Sequence, residues 1–377
     1  MHGQLSMRMR CLMPSSRRRR CPPLLGGDTA AFCALLVEGL AHLESTLEVD
    51  DHGGGGGVGS ASGSVSMRWC AEAMRLVKRM QREMLSIFRK SDVPAAAAAA
   101  ASTSCGGAGG GWFEHYMQET AALLDFCNAF KAAISRMHRY CMVVDFAAQV
   151  GRAAAGDDDG AAAAAAYLVV VESVAEPGLL ASSAAAAVRD KIAEAKAAVA
   201  EAERLGRAII SGGGGGDGGA AGGMVVVTLV AKITTSVLAI IVLQALTSPS
   251  ESSLDAGGVQ QPTLAATAAA AVPELEPWCE SLSLIHARFP SPATVAEHEK
   301  VAAAVRDLVN GGETGGHGSD QQQQDELARG HVELLRATSG ELREGVEMFD
   351  CVLDEVFDEV IRGRNEMLGI LRDKALT

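Results

Sequence analysis

The chain has 377 residues and a net charge of −13, and only 4% of its residues are aromatic. Few aromatic residues together with abundant Leu, Val, Met and Ala favour a helical bundle over a sheet-rich fold. A body this acidic repels a phosphate backbone, which argues against nucleic acid as a partner.

Glycine- and alanine-rich tracts interrupt the chain. They bury little surface and cost backbone entropy to order, so we expect disordered insertions. Between them we predict an all-α fold, an elongated antiparallel helical bundle with coiled-coil-like seams. The predicted divisions are a basic arm at 1–27, helical regions at 28–210 and 274–377, a hydrophobic helix at 224–246, and linkers at 211–223 and 247–273.

The basic arm carries six arginines, four of them at 17–20, and no acidic residue. The simplest interpretation is a disordered arm, while a nuclear signal, a contact with anionic lipid and a plastid or other transit peptide stay open. Nine cysteines without a CxxC pair, and no hydrophobic signal-peptide core, indicate free thiols in a reducing, cytoplasmic compartment. Cys70, Cys127 and Cys141 fall on apolar helix faces, where cysteine packs as a small hydrophobe.

Two helices are predicted before the middle of the chain, at 28–49 and 66–90. Asp28 is a plausible N-cap of the first. The second has an apolar face running from Cys70 to Ile87 and seven basic residues elsewhere, which make it the one cationic helix in an acidic body. A solvated face paired with acidic neighbours is the favoured interpretation, and an anion or lipid site is the alternative.

The stretch 112–150 contains no Gly and no Pro, and its apolar residues recur at spacings of three and four residues. This spacing predicts a long helix with a heptad seam that needs a partner helix. The core or interaction residues of this seam are Leu123, Cys127, Phe130, Ile134 and Met137. A further helix with small residues on its seam is predicted at 188–209.

Met224–Leu246 is apolar enough, and at about 34 Å long enough, to cross a bilayer. The membrane candidates within it are Val225, Leu229, Leu238 and Ile241, with Lys232 as the one charge. The uncharged run after Lys232 is only 14 residues. Three interpretations stay open: a membrane span that splits the bundle, the buried central helix of one bundle, or a helix that lies in the membrane without crossing it.

Two shorter helices are predicted at 274–289 and 295–309, and a long one at about 325–374. The long helix has an apolar seam that includes Phe349, Leu353, Val356 and Val360, with Gly363 at its one vacant position. This seam is the natural partner of the seam at 112–150.

No pattern of residues predicts catalysis, a metal or a cofactor. The glycine tracts lack the context of a phosphate loop, Glu297-His298-Glu299 lacks the second histidine of a zinc protease, and GDDDG at 156–160 lacks the alternating ligands of a calcium loop. We therefore expect a protein that is not an enzyme and that works through protein or membrane contacts.

Three pieces of the chain resemble the plant BYPASS family and, more distantly, its ROH relatives. They are Met67-Arg68-Trp69 with Ala73-Met74, Trp112-Phe113 with LLDFCNA at 123–129 and Ile134-Ser135, and the closing segment from Leu342 to VFDEVIRGRNEML at 356–368. The match covers about two thirds of the chain in patches and consists of core-packing signatures in a fixed order.

The resemblance implies a helical plant developmental regulator that restrains a root-derived mobile signal inhibiting shoot growth. It also implies one hydrophobic stretch where 224–246 lies, and hence association with the endoplasmic reticulum or another membrane. The family supplies no functional residues to carry over, and the protein partners stay unknown. This chain departs from the family in its Ala/Gly insertions and in Lys232, which argues against a membrane span.

Overall fold

The computed structural model describes residues 27–52, 64–90, 112–153, 189–197, 200, 219–247, 275–289, 293–313 and 321–376. Nearly all of them are helical, so the all-α prediction is confirmed. The helices are α1 (Gly27–His52), α2 (Met67–Lys90), α3 (Trp112–Ala153), α4 (Gly219–Leu246), α5 (Glu276–Arg288), α6 (Ala296–Glu313) and α7 (Gln321–Leu376). Residues 189–197 are also helical, within the helix predicted at 188–209. Residues 1–26 of the basic arm, residues 248–273 of the linker predicted at 247–273, and most of the Gly/Ala tracts lie outside the described residues.

The hydrophobic helix α4 begins at Gly219, five residues before the predicted start and inside the predicted Gly-rich linker. Gly223 lies where an added Cβ would come within 3.0 Å of the Thr29 hydroxyl on α1. Glycine at this position therefore lets α1 and α4 approach closely, a tertiary contact that offsets the low helix propensity of glycine.

The start of α2 is fixed by two polar groups, one local and one distant. Ser66 Oγ accepts a hydrogen bond from the Trp69 N–H at 3.1 Å, which is N-cap geometry. The Glu297 carboxylate of α6 accepts the Met67 N–H at 3.1 Å. Strands β1 (Ser64–Val65) and β2 (Thr294–Val295), which pair in parallel, bring the two segments together. From the sequence we predicted the start of this helix at Ser66, but neither the cap nor the contact from α6.

Helices α3 and α7 run antiparallel along most of their length. Asp145 of α3 bonds Ser339 at 2.7 Å and Arg343 at 2.5 Å near one end, and Lys131 bonds Asp350 at 2.5 Å further along. At the other end Arg364 reaches back to the first turns of α3. The two strongest seams predicted from the sequence therefore lie against each other.

Helices α2 and α7 run parallel, which departs from the antiparallel bundle expected throughout. Lys78–Glu355, Arg82–Glu359 and Arg89–Glu366 form salt bridges whose partners are in each case 277 residues apart. We call these three pairs the α2–α7 ion-pair row. Because several helices separate α2 from α7 in the sequence, no short loop forces the two into opposite directions.

Helix α4 lies at the centre of the bundle. Every residue from Val227 to Leu246 except Lys232 and Gln244 is buried, on all sides of the helix. Thr234 accepts a hydrogen bond from the Trp278 indole N–H of α5 at 3.0 Å. A helix that is apolar all round and enclosed by other helices is a core helix, and each fully buried Leu or Ile contributes roughly 1.5–3 kcal/mol.

Candidate functional site at the contact of α3, α4 and α7

The seam residues predicted for the core or for partner contact are all buried. They are Leu123, Cys127, Phe130, Ile134 and Met137 on α3, and Phe349, Leu353, Val356 and Val360 on α7. Phe130 and Phe349 meet edge to face, with ring centroids 6.1 Å apart. The two seams thus contact neighbouring helices of the same chain, so a partner has to contact other surfaces.

The vacant seam position at Gly363 is filled by a side chain of α3. An added Cβ at Gly363 would lie 2.9 Å from the Tyr116 hydroxyl oxygen. The Tyr116 ring also packs edge to face against Phe88 of α2, with centroids 5.3 Å apart. Burial raises the pKa of Tyr116 to about 12, which keeps the hydroxyl neutral. A larger residue at this point of α7 would therefore displace the Tyr116 side chain.

Arg364, next to this glycine, ties α7 to the first turns of α3. Its guanidinium donates to the Met117 carbonyl at 2.7 Å and to the Thr120 hydroxyl at 2.6 Å. Thr120 in turn donates to the Tyr116 carbonyl at 2.8 Å. Thr120 is a polar residue among the apolar residues of the α3 seam. It is thus the place where a cation from α7 is bound.

The residues predicted as membrane candidates lie in the interior of the bundle. Leu229, Leu238 and Ile241 are buried, Lys232 is partly buried, and the side chain of Val225 lies outside the described part. Within the described residues, Gly27–Leu47 and Val226–Leu246 are long and apolar enough to cross a membrane. The second of these is almost entirely buried. A core helix of a globular protein is also long and apolar enough to meet this criterion.

Glu119 is a buried carboxylate on the face of α3 that lies against α4. Its residue is 2% exposed, and its Oε1 makes no hydrogen bond to any described residue. Burial raises the pKa of Glu119 to about 7, while nearby Thr235 and Lys232 of α4 partly oppose this shift. Thr235 Oγ1 also has no hydrogen-bond partner among the described residues, so we regard Glu119 and Thr235 as adjacent rather than bonded.

Gln81 of α2 is a third buried polar side chain without a described partner. It is 4% exposed, and neither its amide nitrogen nor its amide oxygen makes a hydrogen bond to a described residue. Helix α2 packs against α4, as α3 does. The central hydrophobic helix is therefore surrounded by a core that includes unpaired polar groups, and each of them costs free energy.

The sequence analysis missed Glu119, although a signal was present. Glu119 lies three residues after Tyr116 and four before Leu123, which places it on the seam itself. A carboxylate at a seam position predicts either a buried charge or a local break in the packing. Gln81 carries the same signal, since it lies four residues after Val77 and three before Met84, whereas Thr235 carries none because α4 is apolar on all sides.

The described cysteines are all free thiols, and all but Cys351 are buried. Burial raises the pKa of Cys127 and Cys279 to about 12 and that of Cys141 to about 11, so these thiols stay protonated. Among the described residues, no group of three or more His, Cys, Asp or Glu could hold a metal ion. Buried cysteines in this structure serve as packing residues.

Comparison of the chain with family models, with curated proteins and with solved structures found no match.

Proposed function

We propose that the chain is a non-enzymatic plant developmental regulator of the BYPASS type, which restrains a root-derived mobile signal that inhibits shoot growth. It acts through protein contacts made by the helical bundle. The observation that supports this proposal is the position of the three resembling pieces. They lie in α2, α3 and α7, and these helices pack together. Helix α7 contacts α2 through ion pairs and α3 through its apolar seam.

The protein contacts of this proposal use the outer surface of the bundle, because the seams are occupied within the chain. Large apolar side chains that the bundle leaves exposed include Met142 on α3 and Leu368 on α7. Exposed apolar side chains at the outer face of long helices supply contact area for a partner.

The test is growth of a plant that lacks BYPASS function and whose shoot is arrested. Expression of this chain is expected to restore shoot growth. Ile134→Asp is expected to abolish the rescue, because Ile134 is 2% exposed and a buried charge unfolds the seam. Ala132→Asp places the same charge on the same helix at an exposed position two residues away, and is expected to rescue. Persistent arrest with a folded wild-type chain would contradict the proposal.

The alternative is a membrane-anchored scaffold or carrier that works through 224–246, at the endoplasmic reticulum or another membrane. The length and apolar composition of this helix support it. Deleting 224–246 separates the two proposals. If the chain is a regulator built as one bundle, the deletion should abolish its helical fold. If it is an anchored scaffold, the rest of the chain should stay folded. Retention of the full chain in membranes through an alkaline carbonate wash would favour the anchored scaffold.

A further inference from the structure

The outer face of α2 carries a groove of about 370 Å³ that is bordered by two other helices. The groove is lined by His42 of α1, by Glu72, Arg75, Lys78, Arg79 and Arg82 of α2, and by Glu355 of α7. Its four permanent cations outnumber its two carboxylates. This concave surface is therefore cationic, although the chain as a whole has a net charge of −13.

We infer that this groove binds a small ligand with at least two phosphate groups. Each of the four cations lies three, four or seven residues from at least two of the others, and Lys78 and Arg79 are adjacent, so they project from one broad side of α2. Neighbouring turns of a helix are about 5.4 Å apart, which separates Arg75 from Arg79 by the distance between phosphates on one small molecule. This inference depends on neither the family resemblance nor the proposed function.

Two of the cations are held in place by α7. Lys78 bonds Glu355 at 2.7 Å, and Arg82 bonds Glu359 at 2.8 Å. The Glu359 side chain is only 3% exposed, so it anchors the Arg82 guanidinium from beneath the surface. One wall of the groove is thus fixed before a ligand arrives, which lowers the entropy that binding costs.

The other two cations are available to a ligand. Arg79 is exposed and forms no salt bridge with any described residue. Arg75 pairs at 2.7 Å with Glu72, one turn away on the same helix, and its side chain is 39% exposed. Exposed pairs of this type contribute little to stability, so Arg75 can exchange its partner for a phosphate.

The pairing of these two arginines distinguishes a ligand site from a surface whose charges only neutralise each other. If α2 were basic only to neutralise α7, its cations would lie opposite the carboxylates of α7. Lys78, Arg82 and Arg89 do so, whereas Arg79 forms no salt bridge with a described residue. Arg75 pairs with Glu72 of its own helix and is attracted to Glu355 of α7 without forming a salt bridge to it. Guanidinium groups bind phosphate oxygens in a bidentate manner. A phosphate group carries more negative charge than a carboxylate, so it is attracted more strongly to several adjacent cations.

The test is calorimetric titration of the full chain with inositol hexakisphosphate at low ionic strength. We expect binding that weakens as salt is added. Arg79→Glu is expected to weaken it by at least about tenfold, since it replaces an attractive charge by a repulsive one. Arg68→Glu makes the same change on the same exposed side of α2 outside the groove, and is expected to leave affinity within about twofold.

Thermal unfolding followed by circular dichroism checks that both variants fold, and Arg79→Gln replaces Arg79→Glu if the latter does not. Vesicles of phosphatidylcholine with phosphatidylinositol bisphosphate, and vesicles with phosphatidylserine, identify the source of the phosphates. Binding of the soluble probe alone assigns a free ligand, and binding of bisphosphate vesicles but not phosphatidylserine vesicles assigns a lipid headgroup. Failure of the wild-type chain to bind either phosphate probe, or an equal loss in Arg68→Glu, overturns the inference.

Discussion

The carboxyl group of Glu119 illustrates how a single residue can act against the stability of the fold that encloses it. It is buried between α3 and α4, with a pKa raised to about 7 from its usual value of 4.5, and its Oε1 makes no hydrogen bond to a described residue. Lys232 is near enough to favour the ionised form, but burial is the larger effect. The folded chain therefore holds a proton that the unfolded chain releases.

This difference predicts that the free energy of unfolding falls as pH rises. Between pH 4.5 and 7 the folded state binds more protons than the unfolded state. The contribution of the Glu119 carboxyl group to stability is therefore fully present below pH 4.5 and is lost as pH rises through 7. The loss amounts to about 3 kcal/mol at pH 8. Glu119→Gln is expected to remove most of this dependence, as measured by urea unfolding at several pH values.

Glu344→Gln is the matched control for Glu119→Gln, because Glu344 is exposed on α7. It should unfold with the same pH dependence as the wild-type chain. If Glu119→Gln and the wild-type chain lose stability equally between pH 5 and 8, Glu119 is ionised in the folded state and the pKa argument is wrong.

Among the helices, the α2–α7 ion-pair row shows how burial changes the energy of similar contacts. Arg82 and Arg89 have similar side-chain exposure, 57% and 53%, but their partners Glu359 and Glu366 are 3% and 30% exposed. Burial alone would raise the pKa of Glu359, yet hydrogen bonds from Arg82 and Arg362 hold it below its usual value. The Glu359 carboxylate is thus ionised although it is buried, because the two arginines stabilise its charge.

Double-mutant cycles to alanine measure this difference. We expect a coupling energy of about 1–2 kcal/mol for Arg82 with Glu359, and below about 1 kcal/mol for Arg89 with Glu366. Added salt should reduce the second coupling more than the first, because exposed pairs are screened more strongly. Equal couplings at low salt would show that the burial of Glu359 has no energetic consequence.

The molecule as a whole is connected by contacts between residues that are far apart in the sequence. The Trp69 indole N–H donates to the Leu43 carbonyl at 3.1 Å, and the Trp69 ring lies 5.6 Å from that of Phe289. Trp278 bonds Thr234 of the central helix. Each of these tryptophans therefore reports on several helices at once.

We expect the described helices to unfold in one cooperative transition. Tryptophan fluorescence and far-ultraviolet circular dichroism should then give the same denaturation midpoint. Leu238→Asp places a charge at a fully buried position of α4 and should lower both midpoints together, whereas Arg68→Glu on the surface should lower neither by much. Separated midpoints would show that the N-terminal and C-terminal helices form independent units.

The amino-acid sequence was sufficient to predict the helices, their approximate ends and the buried residues of the α3 and α7 seams. These follow from local periodicity, since a residue's place on a helix face depends only on its neighbours along the chain. Helix ends were predicted to within four residues except at the start of α4, where a contact between Gly223 and Thr29 helps the helix to begin earlier.

The tertiary structure was needed to establish the direction of α2 relative to α7, the central position of α4, and the lack of hydrogen-bond partners for Glu119 Oε1 and the Gln81 amide among the described residues. It also separated the cations of α2 that form salt bridges with α7 from Arg75 and Arg79, which do not. The physical reason is the same in each case. Burial and charge pairing depend on which distant segments lie alongside a helix, and local spacing does not specify those neighbours.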